Sequence, residues 1–255
     1  MIIVQITDLH IYDRAEEKNY PIDTAANLSK CIDNINNLVP RPDLVLATGD
    51  LVQSGSKTQY DRLKEILDRL EIPFFLIPGN HDDRTCLRSV FDDHKYLQTE
   101  AEFCHYVIED YPLRLIAIDS IEPGRVGGKI CQKRYNWLLD RLAEAPHRPT
   151  LLFLHHPPFT TGLPLFDEYG FKQVEQLQEI ITQNPQIVKV ISGHLHRTLE
   201  TKIGNSSVSV CPATAYIYSL SLFGKDVYKT NEPPGYQMHL WNREQKTMIS
   251  NTLFF

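Results

Sequence analysis

The feature that most constrains this chain is a recurrence of short apolar runs, rich in β-branched residues and poor in alternation, between segments of helical periodicity. Runs of this kind are typical of strands that are buried on both faces. Strands that alternate with helices predict a layered α/β fold, in which helices cover the sheet. The runs are Ile2–Thr7, Leu44–Thr48, Phe74–Pro78, Leu113–Asp119, Thr150–Leu154 and Val188–Ser192.

The segments between these runs carry apolar residues at helical spacing, and the first of them follows a candidate cap at Asp23. Two strand-like runs on either side of Tyr111-Pro112 predict an antiparallel hairpin within Phe103–Ile118. From Thr198 onward the pattern indicates strands alone, so we expect a second, more antiparallel sheet that closes a sandwich. The helical segments are Ala25–Leu38, Tyr60–Leu70, Tyr135–Leu142 and Val174–Ile181, and the late strands are Thr198–Ile203, Val208–Pro212, Tyr236–Trp241 and Met248–Leu253.

Length and charge restrict the class of protein. A chain of 255 residues is long enough to bury a sizeable core as one α/β domain, so we expect a single domain over residues 1–255. The formal net charge is −6, and lysine and arginine form no run. Nucleic-acid binding depends on clustered cations, so this balance argues against a nucleic-acid polymer or a nuclease and favours a small-molecule substrate.

Cysteine usage and the amino terminus predict a cytoplasmic protein. The five cysteines are odd in number and form no Cys-x-x-Cys pair, which is typical of reduced, mostly buried thiols in a cytosol. The amino-terminal segment has no basic region of the kind that begins a signal peptide. No apolar stretch approaches the roughly 20 residues that a membrane-spanning helix requires.

Polar residues follow directly after five of the buried runs. Because ligands bind outside the carboxyl ends of strands in open α/β sheets, we expect these clusters to converge on one crevice. Each cluster alone is weak evidence, since Asp-x-His and Gly-Asp are common in surface turns. The clusters are Asp8 and His10, Gly49-Asp50, Gly79-Asn80-His81-Asp82, His155-His156 and Gly193-His194-Leu195-His196.

The chemistry of these clusters is that of a metal site. Carboxylate and imidazole ligands without thiolates suit zinc, manganese or iron. In an extended segment, residues two apart point the same way, so Asp8-x-His10 and His194-x-His196 would each present both side chains on one side. Glycine at positions 49, 79 and 193 would let the backbone turn and approach the ions closely.

The five ordered motifs, D-x-H, G-D, G-N-H-D, H-H-P-P and G-H-x-H, resemble those of the calcineurin-like metallophosphoesterase superfamily. The match extends from Asp8 to His196. Finer details, among them Arg41-Pro42-Asp43, look like bacterial class III cyclic nucleotide phosphodiesterases and the glycerophosphodiesterases of the same branch. The resemblance implies a four-layer α/β/β/α sandwich of two mixed sheets flanked by helices, and a hydrolase with a binuclear metal centre.

The resemblance also implies a role for each motif residue. Asp50 would bridge two ions of manganese, iron, zinc or cobalt, which would lower the pKa of a bridging water and produce a hydroxide nucleophile. His81 would be the catalytic group that stabilises the transition state or protonates the leaving alkoxide. One metal would be held by Asp8, His10 and His196, the other by Asn80, His155 and His194, and the substrate would contact Asn80, His81 and His196.

Several residues keep two interpretations. His156 is expected to support the site without binding metal, and Asp82 either orients a histidine or caps the helix near Arg84. Asp119 is interpreted as a buried, satisfied carboxylate or a turn residue rather than part of the site. The aromatic residues after the last motif either stack on a nucleobase, cover the pocket, or belong to the core or a subunit contact. These aromatic residues are Tyr216, Tyr218, Phe223 and Tyr228, and the histidines interpreted as surface or core residues are His94, His105, His147 and His239.

The leading functional hypothesis is hydrolysis of a small phosphodiester, with 3′,5′-cyclic AMP slightly ahead of glycerophosphodiesters. The alternatives are a phosphomonoesterase, a lipid pyrophosphatase, and a scaffold that kept the fold without the chemistry. A scaffold predicts missing ligands, whereas all seven ligand positions hold ligand residues here. Substrate selection is expected from loops around 12–23, 159–170 and 213–235. Relatives suggest a homo-oligomer, most simply a dimer, and Glu16–Lys18 is interpreted as a solvated loop.

Overall fold

The computed structural model describes residues 1–16 and 19–255, so the predicted loop at Glu16–Lys18 lies mostly outside the described residues. The strands are β1 (Ile2–Ile6), β2 (Leu44–Thr48), β3 (Phe74–Ile77), β4 (Tyr106–Ile108), β5 (Arg114–Ile118), β6 (Gly128–Lys129), β7 (Thr150–Leu154), β8 (Phe171–Lys172), β9 (Ile187–Ser192), β10 (Leu199–Ile203), β11 (Ser206–Val210), β12 (Gly235–Asn242) and β13 (Thr247–Phe254). The helices are α1 (Thr24–Asn36), α2 (Lys57–Leu67), α3 (Arg84–Val90), α4 (Gln132–Glu144), α5 (Pro164–Tyr169) and α6 (Val174–Gln183), with a 3-10 helix at Lys95–Gln98.

The strands form two main mixed sheets. The first has the order β13-β12-β1-β2-β3, the second has the order β10-β11-β9-β7-β5-β4, and β6 and β8 pair separately. Strands β1, β2 and β3 run parallel, as do β5, β7, β9 and β11. The predicted hairpin is confirmed, because β4 pairs antiparallel with β5 across Tyr111-Pro112.

The expectation that the late strands form a sheet of their own is wrong. β12 pairs antiparallel with β1, with Ile2 opposite Leu240, and β13 extends that sheet. β11 pairs parallel with β9, and β10 forms the edge of the second sheet. The four strands are therefore divided between the sheets, because the edges of β1 and β9 offer unpaired backbone groups that β12 and β11 satisfy.

The two sheets pack face to face, and helices cover their outer faces. Alternate residues of β5 and β7 point to opposite sides, as the period of a strand requires. Leu115, Ala117, Leu151 and Phe153 join the core shared with β1, β2, α1 and α2. Ile116, Ile118, Leu152 and Leu154 pack against α4 and α6. The predicted four-layer α/β/β/α sandwich is confirmed.

Aspartate caps account for where helices α1 and α3 begin. The Asp23 side chain accepts a hydrogen bond of 2.8 Å from the Ala26 amide and caps α1, as predicted. The Asp83 side chain accepts one of 2.8 Å from the Cys86 amide and caps α3. No helix in the described ranges has the length and apolar character that crossing a bilayer requires.

Candidate metal centre

The loops that carry the candidate ligands are joined by backbone hydrogen bonds just beyond the strands. The Asp8 amide donates to the Gly49 carbonyl at 2.9 Å, and the His10 amide donates to the Asp50 carbonyl at 3.0 Å. Within the second sheet, the Gly193 amide donates to the His155 carbonyl at 2.9 Å. The two sheets are joined by the His194 amide, which donates to Oδ2 of Asp8 at 2.9 Å. These contacts bring the carboxyl ends of β1, β2, β7 and β9 together at one place.

The ligand-bearing backbone is not extended, contrary to the argument from alternation. Five non-glycine residues of these loops have positive φ angles, a conformation that costs free energy and is held by its surroundings. The backbone turns here because the strands have ended and the loops bond to one another instead. The angles are 52° at Asp8, 44° at His10, 49° at Asp50, 74° at His194 and 54° at His196.

Two glycines permit the loops to approach this closely. A Cβ atom on Gly79 would lie 2.3 Å from both the amide nitrogen and Oδ1 of Asp50. A Cβ atom on Gly193 would lie 1.9 Å from Oγ1 of Thr7 and 2.8 Å from Oδ2 of Asp8. Neither space accommodates a side chain, so the glycines are required by contact between neighbouring loops.

The first group of donors consists of Asp8, His10 and His196, and Asp50 borders it. Nε2 of His10 lies 3.0 Å from Nε2 of His196 and 3.8 Å from Oδ2 of Asp50. Nε2 of His196 lies 3.5 Å from Oδ1 of Asp8. Imidazole and carboxylate donor atoms are thus directed at one point.

The second group lies on the other side of Asp50. Nε2 of His155 lies 3.4 Å from Oδ2 of Asp50 and 3.2 Å from Oδ1 of Asn80. The ring of His194 lies next to that of His155, with the centroids 5.1 Å apart. Asp50 therefore stands between the two groups, and all eight sequence-predicted site residues, with His81 included, are brought together.

The hydrogen bonds around the histidines suit metal ligands. Nδ1 of His155 donates to the Thr48 carbonyl at 2.8 Å, and Nδ1 of His196 donates to the Tyr216 carbonyl at 2.9 Å. Nδ1 of His10 lies 3.1 Å from Oε1 of Gln53. A bond of this type fixes the ring and leaves Nε2 as a free donor, as in known metal sites. The donor set therefore fits metal ions, because the Nδ1 contacts orient the rings with Nε2 toward the centre.

Burial keeps three of these histidines neutral. It lowers the pKa of His10 and of His194 to about 3, and it holds the pKa of His196 well below the usual range. Nearby histidines act in the same direction on each ring. A neutral imidazole is the form that binds a metal ion, so these rings are available as ligands across the neutral pH range.

Asp50 and His155 stabilise each other's charged forms, and a metal ion bound at Nε2 of His155 would displace the proton there. Burial opposes ionisation of both groups, but the charge of His155 and its hydrogen bond hold the pKa of Asp50 well below its usual range. The charge of Asp50 in turn outweighs burial and raises the pKa of His155 to about 9. Burial raises the pKa of Asp8 to about 7. The negative charge of the centre is thus concentrated on Asp50, between the two donor groups.

His156 is close to the centre, but its ring nitrogens have other partners. Nδ1 lies 2.8 Å from the hydroxyl oxygen of Ser120, and Nε2 donates to the Val126 carbonyl at 3.0 Å. Although His156 lies within reach of His155 and His194 as a third donor, neither nitrogen is free. This geometry favours His155 over His156 as a ligand, in agreement with the sequence-based preference.

His81 stands at the edge of the centre in a fixed orientation. Its amide donates to Oδ1 of Asp50 at 2.9 Å, and its Nδ1 donates to the Gln53 carbonyl at 2.7 Å. Nε2 consequently faces the donors and lies 4.0 Å from Oδ2 of Asp50. Its side chain is 35% exposed, so it can meet a substrate that arrives from solvent.

Asp82 has neither of the two functions considered for it. One carboxylate oxygen accepts hydrogen bonds from the amides of Leu51 and Gly79, and the other accepts from the amide of Val52 and the hydroxyl of Tyr60. Asp82 therefore ties the loop of Asp50 to the loop of Asn80, while the neighbouring Asp83 caps α3. Burial raises the pKa of Asp82 to about 6.

Asp119 is a buried, satisfied carboxylate, as expected. It forms an ion pair with Arg84 through two hydrogen bonds of 2.6 and 2.8 Å, and it accepts from the Cys104 amide at 2.9 Å. His239 is a core residue with both nitrogens engaged, by Ser250 and Gln5. Three of the five cysteines are buried, and all five are free.

The aromatic residues after the last motif divide into two pairs. Tyr216 packs against His10 and His196, with ring centroids 5.5 and 4.7 Å away, and Tyr218 packs 4.6 Å from His196. Phe223 and Tyr228 are exposed, at 101% and 68%. The first pair covers the donors of the first group, whereas the second pair points to solvent.

Sequence reasoning missed the residues that hold the ligands in place. Gln53 contacts His10 through its side chain and His81 through its carbonyl, and Tyr60 bonds to Asp82. Gln53 lies three positions after Asp50 in the sequence, and this proximity to a predicted ligand could have indicated that it contacts the site. The contact of Tyr60 spans 22 residues and has no local pattern.

With this geometry in place, comparisons with known proteins identify the class. Residues 1–198 match the family model described as calcineurin-like phosphoesterase. The chain belongs to this family, and the predicted superfamily is confirmed. The fold agrees: a dimetal phosphatase from Danio rerio superposes with a TM-score of 0.70 at 14% identity, covering 100% of this chain and 99% of that chain.

Curated relatives carry phosphodiesterase names. A probable glycerophosphodiester phosphodiesterase of Arcobacter nitrofigilis is 34% identical over 96% of this chain and 90% of the relative. The 3′,5′-cyclic adenosine monophosphate phosphodiesterase of Escherichia coli K12 is 27% identical over 83% of this chain and 75% of the relative. Together with the family match, these relatives support the predicted enzyme class, a metal-dependent phosphodiesterase.

Proposed function

We propose that this chain hydrolyses a small phosphodiester at a binuclear metal centre. The observation that carries the proposal is the pair of donor groups on either side of Asp50, each with donor atoms directed inward. Asp8, His10 and His196 would hold one ion, Asn80, His155 and His194 the other, and Asp50 both. The ions would be manganese, iron, zinc or cobalt, since the mixed oxygen and nitrogen set accepts each of them.

When bound, two such ions supply a nucleophile from water near neutral pH and bind the phosphate oxygens. The chain contributes the positions of the reacting groups. Asn80, His81 and His196 would contact the phosphate, and Nε2 of His81 would give a proton to the alcohol that leaves. The Nδ1 bond from His81 to the Gln53 carbonyl supports this role, because it holds Nε2 toward Asp50.

For the substrate, we propose a cyclic nucleotide such as 3′,5′-cyclic AMP first and a glycerophosphodiester second. The relatives named for glycerophosphodiesters match over more of the chain, 96% and 99%, and this favours the second candidate. Their identities of 34% and 29% do not separate the two classes, because relatives named for cyclic nucleotides match at 34% and 31%. One assay with manganese and equal concentrations of both substrate classes separates them. Higher kcat/KM on glycerophosphodiesters would reverse the order.

The reaction class is tested with bis(p-nitrophenyl) phosphate against p-nitrophenyl phosphate. We expect a clear preference for the diester. A preference for the monoester would contradict the proposal and favour the phosphomonoesterase or lipid pyrophosphatase alternative. Metal analysis of the purified protein tests the scaffold alternative, which requires fewer than one ion per chain even after manganese is added.

We further propose that residues 1–255 form a single domain, that the protein is cytoplasmic, and that it assembles as a dimer. The free cysteines are compatible with a reducing compartment. Light scattering coupled to gel filtration tests the dimer. A monomer at micromolar concentration would contradict it.

A further inference from the structure

The metal centre has an open side and a closed side. Of the eight site residues, Asn80 and His81 are partly exposed, whereas the other six are at most 9% exposed. Asn80 and His81 form the open side. The closed side consists of Asp8, His10 and His196 beneath Tyr216 and Tyr218.

The open side leads into a cleft of about 470 Å³. Asn80 and His81 line its inner end, and the first turn of α3 forms part of its wall. Residues 54–55, 101–102 and 121–124 form the remainder. We call this space the α3 cleft. This is the side from which a phosphodiester would reach the centre, because the partly exposed site residues line the cleft.

Two arginines of α3 hold the walls of the α3 cleft in place. Arg88 donates hydrogen bonds to the carbonyls of Leu97, Glu100, Ala101 and Phe103, at 2.6 to 2.9 Å. These bonds fix the segment that contains residues 101–102. Arg84 bonds to the Ile121 carbonyl at 3.0 Å and thereby fixes the segment that begins at residue 121. The cleft is therefore formed before a ligand arrives.

We propose that the α3 cleft receives the alcohol that leaves the phosphodiester, an inference that rests on the proposed function. In the reaction, the oxygen of water bonds to phosphorus and the bond from phosphorus to the alcohol oxygen breaks. His81 in its doubly protonated form keeps its Nδ1 proton on the Gln53 carbonyl and passes its Nε2 proton to that alcohol oxygen. The proton released by the water then returns to Nε2. Because Asn80 and His81 line the inner end of the cleft and are the partly exposed residues of the centre, the leaving oxygen lies at the cleft entrance.

The lining indicates the class of alcohol. Ser54 and Thr85 present hydroxyl groups, and Ile121 and Pro123 provide a smaller apolar contact. The carboxylates of Glu102 and Glu122 also line the cleft, in ion pairs with Lys133 and Lys129. A cleft of this size and polarity suits a hydroxyl-bearing alcohol of the size of glycerol or a nucleoside. In an acyclic diester the retained ester group would lie outside the cleft. In a cyclic nucleotide the oxygen that leaves phosphorus and the retained ester belong to one nucleoside, so only the part next to the leaving oxygen would enter the cleft.

The experiment fills the cleft and keeps the leaving group constant. Thr85→Trp places an indole in the first turn of α3, and Thr58→Trp places one in the first turn of α2, away from the cleft. Both threonines are exposed. The substrates are methyl p-nitrophenyl phosphate and the p-nitrophenyl ester of thymidine 5′-phosphate. Both release nitrophenolate, but their retained groups differ greatly in size.

We expect Thr85→Trp to lower kcat/KM about tenfold or more on both substrates by a similar factor, because displacement of the leaving group misaligns the reaction. Thr58→Trp should stay close to the wild type. Ala101→Trp fills the cleft from a part of the wall outside α3 and should give the same loss. This second variant separates filling of the cleft from a disturbance of α3 by Thr85→Trp. A loss confined to the thymidine ester, or no loss in either cleft variant, would overturn this inference alone. A wild-type protein that cleaves neither diester would overturn the proposed function and the inference with it.

Discussion

The open and closed sides of the candidate metal centre lie on either side of Asp50 but differ in almost every other property. The closed side has a carboxylate and two neutral imidazoles, buried beneath two tyrosines. The open side has a neutral amide and a partly exposed imidazole beside the α3 cleft. Under the proposed function, this difference predicts that the closed side retains its ion and that the open side exchanges ligands and substrate.

Asp50 belongs to both sides, so its replacement should have the largest effect. Asp50→Asn removes the charge that raises the pKa of His155 and leaves a neutral amide between the donor groups. We expect kcat/KM to fall about 10³-fold or more, with loss of metal from both groups. Mass-spectrometric metal analysis and diester assays measure this. Asp61→Asn, on the exposed face of α2, is the control, and a variant that retains two ions and activity would show that Asp50 is not the bridge.

His81→Ala should separate catalysis from metal binding. On diesters with alkyl leaving groups we expect a rate loss of about 10²-fold or more, because the alkoxide then leaves without a proton. On p-nitrophenyl diesters the loss should be smaller, since nitrophenolate is stable unprotonated. His147→Ala, at an exposed position, serves as the control. Loss of a metal ion from His81→Ala would mean that His81 is a ligand and that the open side was misassigned.

How much of this arrangement can be predicted from sequence differs between the strands and the loops. The bounds of β2 and β7 match the predicted runs, because every residue in these strands is buried and the apolar run is the strand. The pairing of β12 with β1 joins residues more than 230 positions apart, with Ile2 opposite Leu240, and no local pattern encodes it. The convergence of the motifs was predictable, but the division of their strands between two sheets was not.

The loops show the same limit at the level of single residues. Residue type identified Asp8 and His10 as candidate ligands, yet the alternation argument assigned them an extended backbone that they do not have. Their positive φ angles depend on bonds to residues 49 and 50 of another loop. Likewise, His155 and His156 are adjacent in sequence and equally buried, and only their hydrogen-bond partners separate a candidate ligand from a supporting residue.

Asn80 tests the contrast in metal retention directly. Asn80→Ala removes a neutral ligand that water can replace, so we expect about a 10- to 100-fold weaker affinity for one ion and little change for the other. Activity should return at higher manganese concentration. Asn80→Asp, which supplies a charged oxygen at the same place, should bind the second ion more tightly. Equal weakening of both ions in a manganese titration would contradict the division into two sides.

The smallest effect is expected from Tyr218, on the closed side. Tyr218→Leu keeps apolar packing against His196 and Phe166 but removes the aromatic face, and Tyr218→Phe keeps that face as the control. If substrate enters only from the open side, kcat/KM for cyclic AMP should change less than about threefold in both variants. Stacking of a nucleobase on an aromatic side chain contributes about 1–3 kcal/mol, or at least about fivefold in affinity. A contrary result would be an increase of that size in KM for cyclic AMP alone, present in Tyr218→Leu and absent in Tyr218→Phe. It would show that the closed side binds the base, and the distinction between the two sides would then be wrong.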